Sequence, residues 1–126
     1  MRIYDESQVG QDEVHTTLIR NLLQIDGVLA ALILLKDGTP LANSSFEEVE
    51  LYSNILSFFA NKLQSVGKNS GINYFNSATI HFSDKILAVY DRDPHIIGIF
   101  FNPQVNVSSV EPLINKELQS YRNERV

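Results

Sequence analysis

The sequence predicts a single α/β domain with its elements in the order α-β-β-α-β-β-β-α, on three observations. Three segments carry apolar residues at helical spacing. Five short apolar segments lie between them, bounded by turn signals. Three of the connecting links are of hairpin length, which implies largely antiparallel pairing. At 126 residues and 14.2 kDa, the chain is the size of one domain.

The first helix is expected from about Asp12 to Ile25, because Val14, Leu18, Leu22 and Ile25 fall on one helical stripe. Asp12 is its candidate N-cap and Asp26-Gly27 its stop. Val28–Leu35 is apolar at every position and reads as the first strand. Lys36-Asp37-Gly38 turns the chain into a short second strand, Pro40–Asn43. The second helix is expected to start at Ser44 or Ser45, which stand three residues before Glu47 and Glu48 in capping-box spacing. It should run to about Val66 and stop at Gly67.

Tyr74–Phe82 is the third strand, with Ala78, Ile80 and Phe82 on one face and Ser77, Thr79 and His81 on the other. Ser83-Asp84 turns into the fourth strand, Lys85–Tyr90. The run Asp91-Arg92-Asp93-Pro94 turns into the fifth, His95–Asn102. The last helix should begin at Ser108 or Ser109, with Pro112 in its first turn. Val110, Leu113, Ile114, Leu118 and Tyr121 form its apolar face. Residues 1–11 and 123–126 read as tails around a domain spanning 12–122.

The first, fourth and fifth strands are apolar on both faces. Such a sheet needs cover on both sides. With three helices available, one covers one face and two cover the other, a three-layer α/β/α sandwich around a five-stranded, mostly antiparallel sheet.

Charge and composition exclude several classes of function. Ten Lys and Arg against fifteen Asp and Glu give a net charge of −5, the wrong sign for general nucleic-acid binding. The absence of cysteine removes disulfides, thiolate metal sites and cysteine nucleophiles. No apolar run approaches the roughly 20 residues that span a bilayer, and no secretory signal stands at the N-terminus. A cytoplasmic protein without direct membrane insertion is the expectation.

The second helix carries more apolar surface than a sheet can cover. At 100° per residue its apolar positions spread over an arc of roughly 200°, whereas a helix resting on a sheet needs a stripe somewhat over about 100°. The surplus shoulder is Leu51, Ile55 and Phe58, with Lys62 interrupting it. Exposed, it would form a contiguous apolar patch of the kind that marks interfaces. The third strand points the same way, being an edge strand if strands three to five form a meander beside the first hairpin. It is nearly uncharged and lacks the Lys or Pro that blunts an edge. Together these predict a two-fold dimer formed through Leu51, Ile55, Phe58 and Lys62 and through Tyr74, Phe75, Asn76, Ser77, Ala78 and Thr79. The competing monomer has the first or third helix, or a loop, covering the shoulder.

No catalytic constellation is present. His15, His81 and His95 have no metal-ligand spacing. Asp91, Asp93 and His95 cluster at one turn, but without the further acidic positions and glycine of a calcium loop they read as a solvated turn. Arg92, between two carboxylates, is locally neutralised and makes a poor catalytic finger. There is no nucleophile elbow, P-loop or dinucleotide fingerprint. No cofactor, metal or catalytic residue is expected. A binding or scaffolding role follows by elimination.

The filled pattern resembles the roadblock/dynein light chain family, in the longin-like superfamily. The resemblance is carried by Leu22-Leu23-Gln24-Ile25-Asp26-Gly27-Val28, by Leu34-Leu35-Lys36-Asp37-Gly38-Thr39-Pro40-Leu41-Ala42, and by Lys85-Ile86-Leu87-Ala88-Val89-Tyr90 with the apolar fifth strand. It covers about residues 12–122. It implies a non-catalytic scaffold that forms homodimers, or pairs with a roadblock paralogue, through the second helix and third strand. It further implies a platform for a small Ras-like GTPase, including roles as a GTPase-activating partner. On that implication the partner surface is the solvent side of the second helix, Glu47, Glu50, Asn54 and Asn61, with Ser53 and Ser57 beside it. The alternatives are a constitutive subunit of a motor or trafficking complex and a small-molecule sensor. The sensor needs a cavity that Phe58, Phe59, Phe82, Phe100 and Phe101 have the bulk to fill.

Overall fold

Residues 6–44, 51–58, 61–62, 77–92 and 94–124 are described in the computed structural model. Helix α1 is Glu6–Leu23, followed by strands β1, Val28–Leu35, and β2, Pro40–Asn43. Helix α2 is described at 51–58 and 61–62. Strands β3, Ser77–His81, β4, Ile86–Arg92, and β5, His95–Phe101, precede helix α3, Val107–Glu124. The five strands form one sheet in the order β2-β1-β5-β4-β3, antiparallel throughout. The three consecutive hairpin strands thus put β3 at one edge, and the short β2 lies at the other.

Strand alternation divides the core into two layers. On one face Ala31, Ile33, Ala88, Tyr90, Ile97, Ile99 and Phe101 meet Leu18 and Leu22 of α1 and Ile114, Leu118 and Tyr121 of α3. On the other, Leu32, Leu34, Leu87, Val89, Ile96 and Phe100 meet Tyr52 and Leu56 of α2. Two helices cover one face and one covers the other, the expected α/β/α sandwich.

Several boundaries differ from the sequence expectation, each for a local reason. α1 begins at Glu6, so Asp12 lies inside the helix rather than capping it. Residues 6–11 contain neither proline nor a β-branched run, so nothing halts the helix there. α1 also ends earlier, at Leu23. Tight turns follow, with the N–H groups of Gln24 and Ile25 donating to the carbonyls of Asn21 and Leu22. Gly27 then takes φ +88°, and a methyl group on it would land on Val105, so glycine is required twice over.

α3 starts at Val107 because Asn106 caps it. The Asn106 Oδ1 accepts the Ser108 N–H at 3.1 Å. This moves Pro112 into the second turn, where its missing N–H leaves the exposed Ser108 carbonyl to solvent. Leu113 is 52% exposed instead of facing the core. Ser44 Oγ accepts the Ala31 N–H at 3.1 Å and its own N–H donates to the Ala31 carbonyl, while the expected helix bounds at Ser45, Val66 and Gly67 lie outside the described residues. Strand β4 extends through Asp91 and Arg92, and Arg92 pairs with His95 across a two-residue link. The last strand ends at Phe101, one residue short.

Candidate functional site

Strand β5 sets how α2 lies on the sheet. Gly98 sits beneath Leu56, and a Cβ there would come within 2.7 Å of the Leu56 Cδ1. The missing side chain lets the helix sit close, and Leu56 is fully buried. Beside it Tyr52 meets Phe100 edge-on, with ring centres 4.7 Å apart, and Phe82 at 6.3 Å. Ser57 Oγ donates to the Lys36 carbonyl at 2.9 Å, tying the helix to the β1–β2 hairpin. Ser53 is buried and Ser57 half-buried, so both face inward rather than flanking the solvent side. Glycine in a strand and serine in a helix were the available signals for this close approach.

With Tyr52, Ser53 and Leu56 committed to the interior, the opposite shoulder of α2 is left outside. Leu51 is 51% exposed and Phe58 58%, while Ile55 is half-buried against the core. Lys62 is exposed, with its Nζ 5.9 Å from the centre of the Phe58 ring. Asn54 and Asn61 are exposed on the same helix. At the sheet edge, Ser77, Thr79 and His81 are exposed and Ala78 and Ile80 half-buried, in strict alternation. Among the described residues, no strand pairs with the outer side of β3. Tyr74, Phe75, Asn76, Glu47, Glu50 and Phe59 lie outside the described residues.

The turn residues that resembled a cation site have other roles. Asp91 is not solvated: its side chain is buried on the α2 face and pairs with Lys36 at 3.4 Å. Arg92 folds back on its own strand, where Nη1 donates to the Asp91 carbonyl at 2.9 Å and the guanidinium lies 5.6 Å from the Tyr90 ring centre. His95 turns inward. Its ring meets that of His15 at 5.5 Å and that of Tyr121 at 5.7 Å, and Tyr121 Oη lies 3.0 Å from His15 Nδ1. All three are buried, and they fasten α1, β5 and α3 together. Residues 80 and 106 apart leave no periodic trace of this cluster. A signal existed in His15, which lies on the α1 stripe with Leu18, Ile19 and Leu22.

Two ionisable groups are shifted. Burial pushes the Tyr90 phenol up to about 12, the Glu111 carboxylate adds to the effect, and Arg92 opposes it. The Tyr90 hydroxyl is buried beside the Glu111 carboxylate and makes no short hydrogen bond among the described residues. Bonds from the Thr39 hydroxyl and backbone N–H hold the Asp37 carboxyl below its usual range. Among the described residues no group of three His, Asp or Glu is placed to hold a metal ion. A shallow cleft between α1 and α3 is lined by Thr17, Asn21, Glu117 and Ser120 and crossed by the Asn21–Glu117 hydrogen bond. Phe100 and Phe101 are buried in the two layers, but Phe58 points outward and fills nothing. No helix among the described residues is long and apolar enough to cross a membrane.

No protein-family model and no curated protein matches this sequence. Solved structures do match its backbone. A Roadblock/LC7 domain from Streptomyces avermitilis superposes with a TM-score of 0.77 at 13% identity, over 85% of this chain and 93% of that one. The chain has the Roadblock/LC7 fold. The gliding protein MglB from Thermus thermophilus gives a TM-score of 0.77 at 15% identity, over 98% of this chain and 93% of its own. An MglB solved in a tetrameric arrangement gives the same TM-score, identity and coverage. At 13–15% identity the likeness is one of fold. Among the described residues, the apolar shoulder of α2 and the β3 edge, which no strand pairs on its outer side, are surfaces left unfinished.

Proposed function

We propose that this chain is a non-catalytic roadblock platform that pairs with a second copy of itself, or with a roadblock paralogue, and binds a small Ras-like GTPase in the cytoplasm. One observation carries the reading: an apolar shoulder of α2, with Leu51 and Phe58 more than half exposed, on a fold whose β3 has no strand paired on its outer side among the described residues. A lone exposed leucine is ordinary, but aligned apolar residues on a helix together with an unblunted edge mark an interface. The tetrameric arrangement of one structural neighbour supports self-association as a property this fold accommodates. The GTPase follows from the roadblock resemblance. Asn54 and Asn61 present amides to such a partner, and modulation of its nucleotide cycle would act by repositioning the GTPase's own groups, because Arg92 is folded onto Tyr90.

Light scattering after size exclusion tests the pairing. Wild type at micromolar concentration is expected near twice 14.2 kDa, and Phe58→Asp near 14.2 kDa. A monomeric wild type overturns self-association. Pull-down of Ras-like GTPases loaded with GDP or a GTP analogue tests the partner, and no enrichment in either state overturns it.

A further inference from the structure

The β3–β4 hairpin carries an ammonium group that reaches back to α2. Lys85 follows the Ser83-Asp84 turn, where the Phe82 N–H donates to the Lys85 carbonyl at 2.9 Å. The Lys85 Nζ stands 4.8 Å from the centre of the Tyr52 ring and 5.7 Å from that of Phe100. Tyr52 in turn contacts both Phe100 and Phe82 edge-on. Aromatic rings from α2, from β5 and from the end of β3 therefore converge where one cation lies. Tyr52 and Phe100 are buried, and the Lys85 side chain is 24% exposed. Asp84 lies 3.8 Å from the same ammonium, but its side chain is 73% exposed, so water screens that pair more than it screens the ring faces.

Resting on the pairing proposed above, we propose that Lys85 is a charge-dependent clasp that holds α2 and the β3 edge in the relative position self-association uses. The two unfinished surfaces belong to different elements, and a second copy must engage both at once. Freedom between them in the lone chain is freedom lost on pairing, so a contact that already fixes α2 against the hairpin lowers the cost of association. Tyr52 is the residue next to Leu51 in α2, and Phe82 follows β3 directly. The clasp thus joins residues adjacent in sequence to both surfaces. It depends on charge and lies at the rim of the Tyr52–Phe100 cluster, so removing the charge at Lys85 alters pairing without opening the core.

The experiment measures the dimer dissociation constant by analytical ultracentrifugation together with the urea midpoint, for wild type, Lys85→Gln, Lys85→Arg, Tyr52→Leu and the Lys85→Gln/Tyr52→Leu double variant. Lys85→Gln is expected to raise the constant roughly 2- to 30-fold, the range that loss of a cation–π contact spans. Lys85→Arg keeps a cation over the rings and should stay within about threefold of wild type. The double variant should weaken pairing no further than Tyr52→Leu alone. An unchanged dissociation constant with a lowered urea midpoint overturns the clasp, because Lys85 then serves only the fold of the single chain. Equal weakening by Gln and Arg overturns the role of charge. A wild type that stays monomeric at roughly 100 µM, about a hundredfold above a micromolar constant, overturns the pairing and the clasp together. A dimeric wild type indifferent to Lys85 overturns the clasp alone.

Discussion

On one face of the sheet, α1 and α3 bury Leu18, Leu22, Ile114, Leu118 and Tyr121 and lock their ends through the His15–His95–Tyr121 rings and the Asn21–Glu117 bond. On the other face a single helix seats Tyr52 and Leu56 over Gly98 and leaves Leu51 and Phe58 in water. Both faces of the sheet carry a buried apolar cluster, so the difference lies in the cover. Among the described residues the two-helix layer buries an unbroken apolar stripe of each helix, with Leu113 lying off it. The one-helix layer closes over the sheet yet ends in apolar residues that contribute nothing to that closure. The first face is therefore where stability is concentrated, and the second is where a partner finds purchase.

Breaking the complete face should cost most. Leu22 is fully buried between α1 and the sheet, and Leu22→Ala removes its contacts and leaves a cavity. A loss of about 2–5 kcal/mol in urea unfolding is expected, with the dimer constant of the remaining folded protein unchanged. A loss under about 1 kcal/mol would mean that this layer is looser than its burial implies.

Tyr90 sharpens the same comparison through pH. Its phenol is held near 12 in the folded protein, above the unfolded value of 10.0. The unfolded chain therefore releases its proton first as pH rises. The contribution is fully present below about pH 10 and is lost progressively between 10 and 12, by up to about 3 kcal/mol. Tyr90→Phe should lack that increment of alkaline loss in stability curves compared pH by pH. At neutral pH the change should be small, because the hydroxyl it removes is buried beside the Glu111 carboxylate without a short hydrogen bond. Parallel alkaline profiles for the two proteins would contradict the assignment.

On the one-helix face, Gly98→Ala asks how closely α2 must sit. The new methyl meets the Leu56 Cδ1, the end of a side chain with little room to turn. Overpacking of this kind costs about 1–3 kcal/mol, and the lower chain entropy of alanine offsets about 0.4–1 of it. A net loss of about 1–2 kcal/mol is expected, with weaker pairing because the shoulder of α2 is displaced. Unchanged stability and pairing would show that α2 floats above the sheet.

The sheet was legible in the sequence because its signals are local. Val28–Leu35 and Pro40–Asn43 end where their turn residues stand, and Ser77–His81 alternates in the pattern that burial follows. Features that depend on distant partners were not. Asp91 and Arg92 look like turn residues, and they join β4 because Asp91 has Lys36 and Arg92 has His95 opposite. Ser53 and Ser57 look like the polar side of a helix until the β1–β2 hairpin brings the Lys36 carbonyl against Ser57. The surplus shoulder was countable from 100° steps alone, whereas the aromatic convergence on Lys85 brings together residues 52, 82, 85 and 100 and follows no period.

The smallest expected effect bears most directly on the comparison. Phe58 is 58% exposed, and the Lys62 ammonium on the same helix lies 5.9 Å from the centre of its ring. An exposed contact of that kind contributes about 0.5–1 kcal/mol at most, and surface substitutions usually fall within about 0.5 kcal/mol. Phe58→Asp should therefore leave the urea midpoint of the lone chain nearly unchanged, measured at concentrations low enough that wild type is monomeric. At high concentration wild type should gain stability with concentration, as a folded dimer does by mass action, and Phe58→Asp should not. If the substitution instead destabilises the dilute chain by 2 kcal/mol or more, a size reserved for buried contacts, Phe58 serves the fold and the one-helix face is complete after all. If only the concentration dependence disappears, folding gives no reason for a phenylalanine at that position, and an interface supplies one.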